Sequence, residues 1–515
     1  MASVKKNLAA NLLGKIWVIL VSAIFTPIYI KLIGIEAYGI VGIYTALTMI
    51  FSLLDLGLQP TVNRELARLS ADPHLFEKHS GNVIRTLEWV YWPMAIAIGA
   101  IVFFVAPFIS NEWVHAKDLA PETIKQAIYC IGLALAFQWP MSLYHGSLMG
   151  LQRHVILNVI FVGISTLKGI GMIFVLMYVS PTIQAFFIWQ ISLNALQTGL
   201  MAFVVWKNLP QSSHWPRFDM QILNHLKGFA LGITSTGALT IMLSQIDKVI
   251  LSKMLSLEMF SYYALASMLA ATLSYVSGGV LTTYYPQFSK QVAMHDCGNP
   301  QQGQILSHIY HNACQVLSII IIPMALMAVF FSWELLYVWT QNEEISNYTY
   351  LTMSLLTLAS LLNGLIVLPY AMQLAHGWTK LNVYQNAAGL VVMVPLMIAG
   401  VFYLGGVGAA LTGVVVNLGV MAISIFFMHK KILVQERRKW ITHDVLYPMG
   451  ASLSVILIAR FLIPLQSMHI FLKLFVLLLV FALSVMAAIF AAPLVRKGLM
   501  TRLRKKKGIG LVDSF

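Results

Sequence analysis

Apolar runs long enough to cross a lipid bilayer recur along nearly the whole chain. A helix needs about 20 such residues to span the hydrocarbon core. Runs of that kind lie near 11–30, 38–58, 86–109, 124–148, 155–179, 182–206, 228–252, 259–282, 310–333, 350–373, 381–402, 405–428, 446–463 and 470–492, about fourteen in all; 446–463 is short enough that twelve or thirteen crossings would also fit. Inside hydrocarbon every backbone N–H and C=O must be satisfied within its own segment, which selects helices. The expected fold is an all-α polytopic membrane protein with about 14 transmembrane helices. Composition points the same way: 59% of residues are apolar and only 10% charged, against about one-quarter charged in soluble proteins. That excludes a soluble enzyme and a disordered chain. The basic start, Met1 to Lys6, runs into the first apolar stretch without a clean small-residue cleavage site, so this stretch reads as a retained helix rather than a signal peptide.

The net charge of +14 would suggest nucleic acid in a soluble protein. Here the basic residues fall in short loops and in the tail. With the N-terminus in the cytosol, 24 lysines and arginines lie on the cytosolic side and three (Lys31, Lys117 and Lys253) on the other. Both termini are therefore expected in the cytosol, and no nucleic-acid partner is expected. Cys130, Cys297 and Cys314 give neither a disulfide framework nor a metal-ligand spacing. The longest external loop, about 334–349, carries Glu334, Glu343 and Glu344 and is too small to fold alone. The longer cytosolic loops have no GxxxxGK[ST] phosphate loop. An enzyme is not expected, and no cofactor is implied.

Two segments match at an offset of 222. Lys31-Leu32-Ile33-Gly34-Ile35-Glu36-Ala37-Tyr38-Gly39 corresponds to Lys253-Met254-Leu255-Ser256-Leu257-Glu258-Met259-Phe260-Ser261. Each connects an odd-numbered run to the next. The offset covers an even number of runs, so the halves have parallel topology, an arrangement found in alternating-access transporters with the site between the halves. The expected organisation is a six-helix lobe at 1–206, a cytosolic linker at 207–227, a second six-helix lobe at 228–428, two additional helices within 446–492 as an appendage, and a basic cytosolic tail at 493–515.

An ionisable side chain at mid-membrane costs roughly 2.5–3.5 kcal/mol on insertion scales, so such residues usually face water or a partner. Lys168 lies near the middle of the fifth run and is the strongest candidate to line a cavity. Lys15 lies about one turn into the first run, where its stem could also snorkel to the surface. Asp247 and Lys248 are adjacent on the seventh run. Side chains one residue apart on a helix point about 100° apart, so mutual neutralisation is not expected. Asp247 is the candidate for binding a proton or sodium ion, and Lys15, Lys168 and Lys248 for binding an anion. Asp55, Arg64 and Pro27 are structural or gating candidates, with Asp55 suited to a helix-end cap or salt bridge and Pro27 to a bend. Glu88 and Arg460 fall near run ends and read as interfacial.

Ser52-Leu53-Leu54-Asp55-Leu56-Gly57-Leu58, followed by Arg64-Glu65-Leu66-Ala67-Arg68, resembles the second-span signature of the polysaccharide flippases. So does Gln245-Ile246-Asp247-Lys248, leading to Tyr262-Tyr263-Ala264-Leu265-Ala266. These are the O-antigen and lipid-linked-oligosaccharide translocases, in the superfamily that also holds the multidrug and toxin extrusion transporters. The resemblance covers roughly the first twelve runs. It implies two six-helix lobes around a cationic cavity, in a bacterial inner membrane. The implied cargo is a polyprenyl-diphosphate-linked oligosaccharide, whose diphosphate Lys15, Lys168 and Lys248 would suit. It also implies H+ or Na+ as possible coupling ions and polysaccharide polymerase or assembly proteins as possible partners. The alternative on the same scaffold is a cation-coupled multidrug exporter. Such an exporter would want an acidic cavity, and the runs carry more lysine than carboxylate.

Overall fold

The computed structural model describes residues 2–55, 57–210, 215–296, 302–465 and 468–506; side chains at 2–13, 15–16, 227–239, 295–296, 302, 499 and 502–506 lie outside that description. The described residues are almost all helical, as the apolar runs require, and contain no strand. Eleven helices are long and apolar enough to cross a membrane among the described residues. The protein is an all-helical, multi-pass membrane protein.

By packing, the chain divides into two units, Met1–Ser261 and Tyr262–Phe515. The first contains α1 (Ala2–Ile33), α2 (Ile35–Ser52), α3 (Leu58–Leu69), α4 (Pro73–Phe108), α5 (Pro121–Gln138), α6 (Met141–Gly150), α7 (His154–Phe174), α8 (Ile183–Asn208) and α9 (Met220–Met254), and the start of α10 (Leu257–Ala270). Short polar residues set the helix starts. Asp72 accepts the N–H groups of His74 and Leu75 at 2.9 and 3.3 Å, with Pro73 at the first helical position. Asp219 does the same for Gln221 and Ile222 at the start of α9. α9 then packs on α2, α3 and α4. The division by packing thus falls after the 207–227 linker rather than at it.

The second unit continues with α11 (Thr272–Asp296), α12 (Gln302–Phe330), α13 (Ser332–Thr340), α14 (Glu343–Ala375), α15 (Lys380–Lys431), α16 (Arg437–Lys439), α17 (Tyr447–Leu462), α18 (Ile470–Ala491) and α19 (Pro493–Lys506). α15 holds two of the expected runs and folds back at Gly405, whose φ of 57° and ψ of −139° suit glycine. Across the bend, Gly400 faces Gly408 with no room for a Cβ, and Thr412 Oγ1 donates to the Leu396 carbonyl at 3.2 Å. Close backbone approach at small residues is a common way for membrane helices to pack. α17 and α18 pack on α12 within the second unit. Ile456, Leu477 and Val480 share one buried apolar cluster with Leu317 and Ile321 of α12.

Candidate functional site

The polar interior of the first unit is built from α2, α5, α7 and α8. Lys168 of α7 donates to Asn194 Oδ1 at 2.7 Å and to Gln197 Oε1 at 3.4 Å. Because Asn194 presents its oxygen to the ammonium, its Nδ2 points the other way. That nitrogen donates to the Ala134 carbonyl at 3.0 Å, to the Tyr44 hydroxyl at 3.2 Å and to Gln138 Oε1 at 3.3 Å. Tyr44 in turn donates to Gln138 Oε1, and Gln190 Nε2 reaches both the Tyr44 hydroxyl and Asn194. Asn194 and Gln197 are buried. Every partner of the Lys168 ammonium is a neutral amide, with no carboxylate against it among the described residues. Neutral acceptors satisfy N–H groups without cancelling charge, so the seam keeps a net positive pole inside an apolar helical bundle.

α1 packs beside this seam. Trp17 Nε1 donates to Thr166 Oγ1 at 2.9 Å, and the Tyr29 hydroxyl donates to the Gly169 carbonyl at 3.2 Å. Gly169 leaves room for Phe25 and Val21. Pro27 lies inside α1, next to Thr26, whose hydroxyl bonds to the Ser22 carbonyl at 2.8 Å. Lys15 is on α1, with its side chain outside the described residues.

On α9, Lys248 Nζ lies 3.5 Å from both carboxylate oxygens of the buried Asp247. The expectation that these neighbours would not neutralise each other is corrected here. The lysine stem is long enough to wrap its ammonium back around the helix. Asp55, in the short turn after α2, accepts the Gln59 N–H through its Oδ2 at 3.1 Å, and no ion pair to it is found among the described residues. The other oxygen instead accepts the hydroxyls of Tyr91 and of Ser142, the latter at 2.8 Å. Arg64 lies exposed on α3. Glu88 is buried rather than interfacial, and accepts from Arg85 at 2.8 Å, Tyr144 at 3.0 Å and Trp206 at 2.8 Å.

The repeat turns meet one strap, residues 109–120, in the first unit. Glu36 accepts the backbone N–H groups of Lys117, Asp118 and Leu119 at 2.6, 2.9 and 3.1 Å. Its repeat equivalent, Glu258, pairs with Lys117 Nζ at 3.1 Å, and this holds the Lys117 ammonium above the usual lysine pKa. The Leu257 N–H bonds to the His115 carbonyl at 2.7 Å. Gly39 packs directly on Ser261, its own equivalent.

Sequence reasoning passed over two groups, one of neutral amides and one of ionisable residues far apart in the chain. Gln190, Asn194 and Gln197 stand at helical spacing on one face of α8, and that polar stripe was the available signal. In the second unit, fully buried His311 sits between two carboxylates. Its Nδ1 is 2.5 Å from Asp444 Oδ2, and its Nε2 is 3.1 Å from Glu436 Oε2. Gln315 donates to Asp444 at 2.9 Å and accepts the Leu494 N–H at 2.8 Å. A wide helical turn at Trp440–Leu446 brings Asp444 there. The group ties the last helices to α12.

Comparison with known proteins follows this geometry. Residues 4–292 match the family described as "Polysaccharide biosynthesis protein". A Shigella flexneri protein assigned as an O-antigen transporter is 20% identical over 412 residues, covering 80% of this chain and 94% of its own. Among solved structures, the lipid II flippase MurJ in an inward closed conformation superposes with a TM-score of 0.62 at 15% identity, over 95% of this chain and 99% of its own. An inward-facing transporter of the multidrug resistance MATE family gives 0.63 at 15% identity, over 82% and 95%. These structural likenesses concern the fold.

Proposed function

From the premise that the chain belongs to the polysaccharide biosynthesis protein family, a family of flippases and transporters rather than enzymes, we propose that it moves a polyprenyl-diphosphate-linked oligosaccharide from the cytosolic to the outer leaflet of a bacterial inner membrane. The movement occurs by alternating access between two lobes, and both termini lie in the cytosol. The observation that carries this reading is Lys168, a cation deep in a span whose partners are neutral amides. An anionic diphosphate is the complement of such a site.

The physics of the cargo fits. Sugar hydroxyls entering hydrocarbon would lose their hydrogen bonds. The polyprenyl tail has no such difficulty and stays in the bilayer, so only the headgroup needs shelter. Two negative charges moving outward across an inside-negative membrane gain about 4.6 kcal/mol per 100 mV, at about 2.3 each. The potential alone therefore favours export. Asp247 is the candidate for any coupling ion, although Lys248 already lies against it. The same fold also serves cation-exporting drug transporters. The unneutralised lysine weighs against that alternative, since a cationic drug would be repelled.

Lys168→Ala tests the proposal. In cells that depend on this chain for surface glycan, the variant should insert and accumulate normally but lose most glycan export. Wild-type export from a normally abundant Lys168→Ala protein would refute it.

A further inference from the structure

Another buried cation has no counterion among the described residues, and it belongs to neither the polar seam nor the repeat. Lys473 lies one turn into α18 and is 2% exposed. Its ammonium sits over the rings of Tyr337 and Trp333, 4.7 and 5.5 Å from their centroids. These rings are i and i+4 on α13, stacked 5.2 Å apart at 9°, and Trp333 is fixed by donating to Asn347 Oδ1 at 2.7 Å. The neighbouring charge is already matched: Arg460 pairs with buried Glu334 and covers Phe331. Lys473 has no such match. No carboxylate and no hydrogen-bond acceptor meets its ammonium among the described residues.

Lys473 lines a cavity of about 460 Å³ together with Gln341, Glu343, His469, Trp333 and Tyr337. Aromatic faces attract a cation but leave its N–H groups without directed acceptors. The cavity lies at the starts of α14 and α18 and so at one membrane boundary, opposite the end of α18 that leads into the C-terminal tail. Phospholipid phosphates lie at that level. The volume suits a compact headgroup. Glu343 and Gln341 complement a headgroup that carries hydroxyls or an ammonium beyond its phosphate.

We infer that this cavity binds the phosphodiester of a glycerophospholipid headgroup from the leaflet opposite the tail, with Lys473 as the anion ligand. The inference rests on the chain spanning a membrane and not on its cargo.

The test is native mass spectrometry of the delipidated full chain in detergent. It is titrated with dioleoylphosphatidylglycerol, dioleoylphosphatidylethanolamine, dioleoylglycerol, which lacks phosphate, or inorganic phosphate. Both phospholipids should saturate one site, and dioleoylglycerol should not. Lys473→Gln should weaken that site by about tenfold or more, and Lys473→Arg should retain it. Unchanged affinity in a folded Lys473→Gln protein, equal binding of dioleoylglycerol, or displacement of the lipid by millimolar inorganic phosphate would each overturn the assignment. A phospholipid with a photoreactive headgroup, applied to wild-type protein, gives a readout independent of the variant's folding. Its label should map to 333–343 or 468–474, and exclusive labelling elsewhere overturns the proposal.

Discussion

Removing the Glu36 carboxylate should loosen the first unit by a measurable amount. Glu36 is 7% exposed and receives three backbone N–H groups from Lys117, Asp118 and Leu119. Hydrogen bonds to a charged group are each worth about 1.5–3 kcal/mol net. They will not sum here, because Lys117 and Asp118 are exposed and water replaces the carboxylate at those donors. Glu36→Ala should therefore cost about 2–4 kcal/mol. Glu36→Gln, which keeps one neutral acceptor, should cost about half as much. At roughly 2–4 °C per kcal/mol for a domain near this size, the alanine variant should melt about 4–16 °C below wild type. The assay is thermal unfolding of detergent-solubilised protein, followed by tryptophan fluorescence. Lys117→Ala is the control: its side chain is exposed, and losing its pair with Glu258 should leave the melting point near wild type. A Glu36→Ala protein melting within about 1 °C of wild type would refute the argument that the carboxylate organises the strap.

Other consequences are as direct. At a fixed membrane potential, Asp247→Asn should make export indifferent to the proton and sodium concentration gradients, and a variant with unchanged gradient dependence removes Asp247 from coupling. Gly169→Leu should block α1 from seating on α7, because Phe25 and Val21 occupy the space of a side chain there; membrane-fraction immunoblotting should show much less protein, and wild-type abundance would contradict the packing. Burial works against the charged form of Glu436, but the Ser307 hydroxyl and His311 prevail and hold its carboxyl below the usual 4.5. A depressed folded pKa gives stability that is present above pH 4.5 and lost as pH falls through the folded value. Glu436→Gln should accordingly flatten the loss of melting temperature below pH 4.5, and a profile parallel to wild type there would exclude Glu436 as a source.

Much of this was legible in sequence because lipid imposes a simple length rule. The runs over 155–179 and 182–206 became α7 and α8 with small changes at the ends, and the break between 402 and 405 became the bend at Gly405. Lys168 stood out because nothing else in its run is charged. Its partners did not, since Asn194 and Gln197 are neutral and lie 26 and 29 residues away. The Asp247 and Lys248 contact was missed because helical direction was considered without stem length. The link from His311 to Asp444 crosses 133 residues, and no periodicity records which helices will be neighbours. Where α17 and α18 pack was hidden for the same reason: an apolar helix reads alike whether it faces lipid or another helix.

The duplicated segments touch each other at matching positions. A Cβ on residue 39 would stand 2.5 Å from Ser261 Oγ, so the sequence presses against its own copy. Residue 39 cannot gain a side chain without displacing both Ser261 and the Leu257 backbone, so the first turn can carry only glycine where it meets its copy.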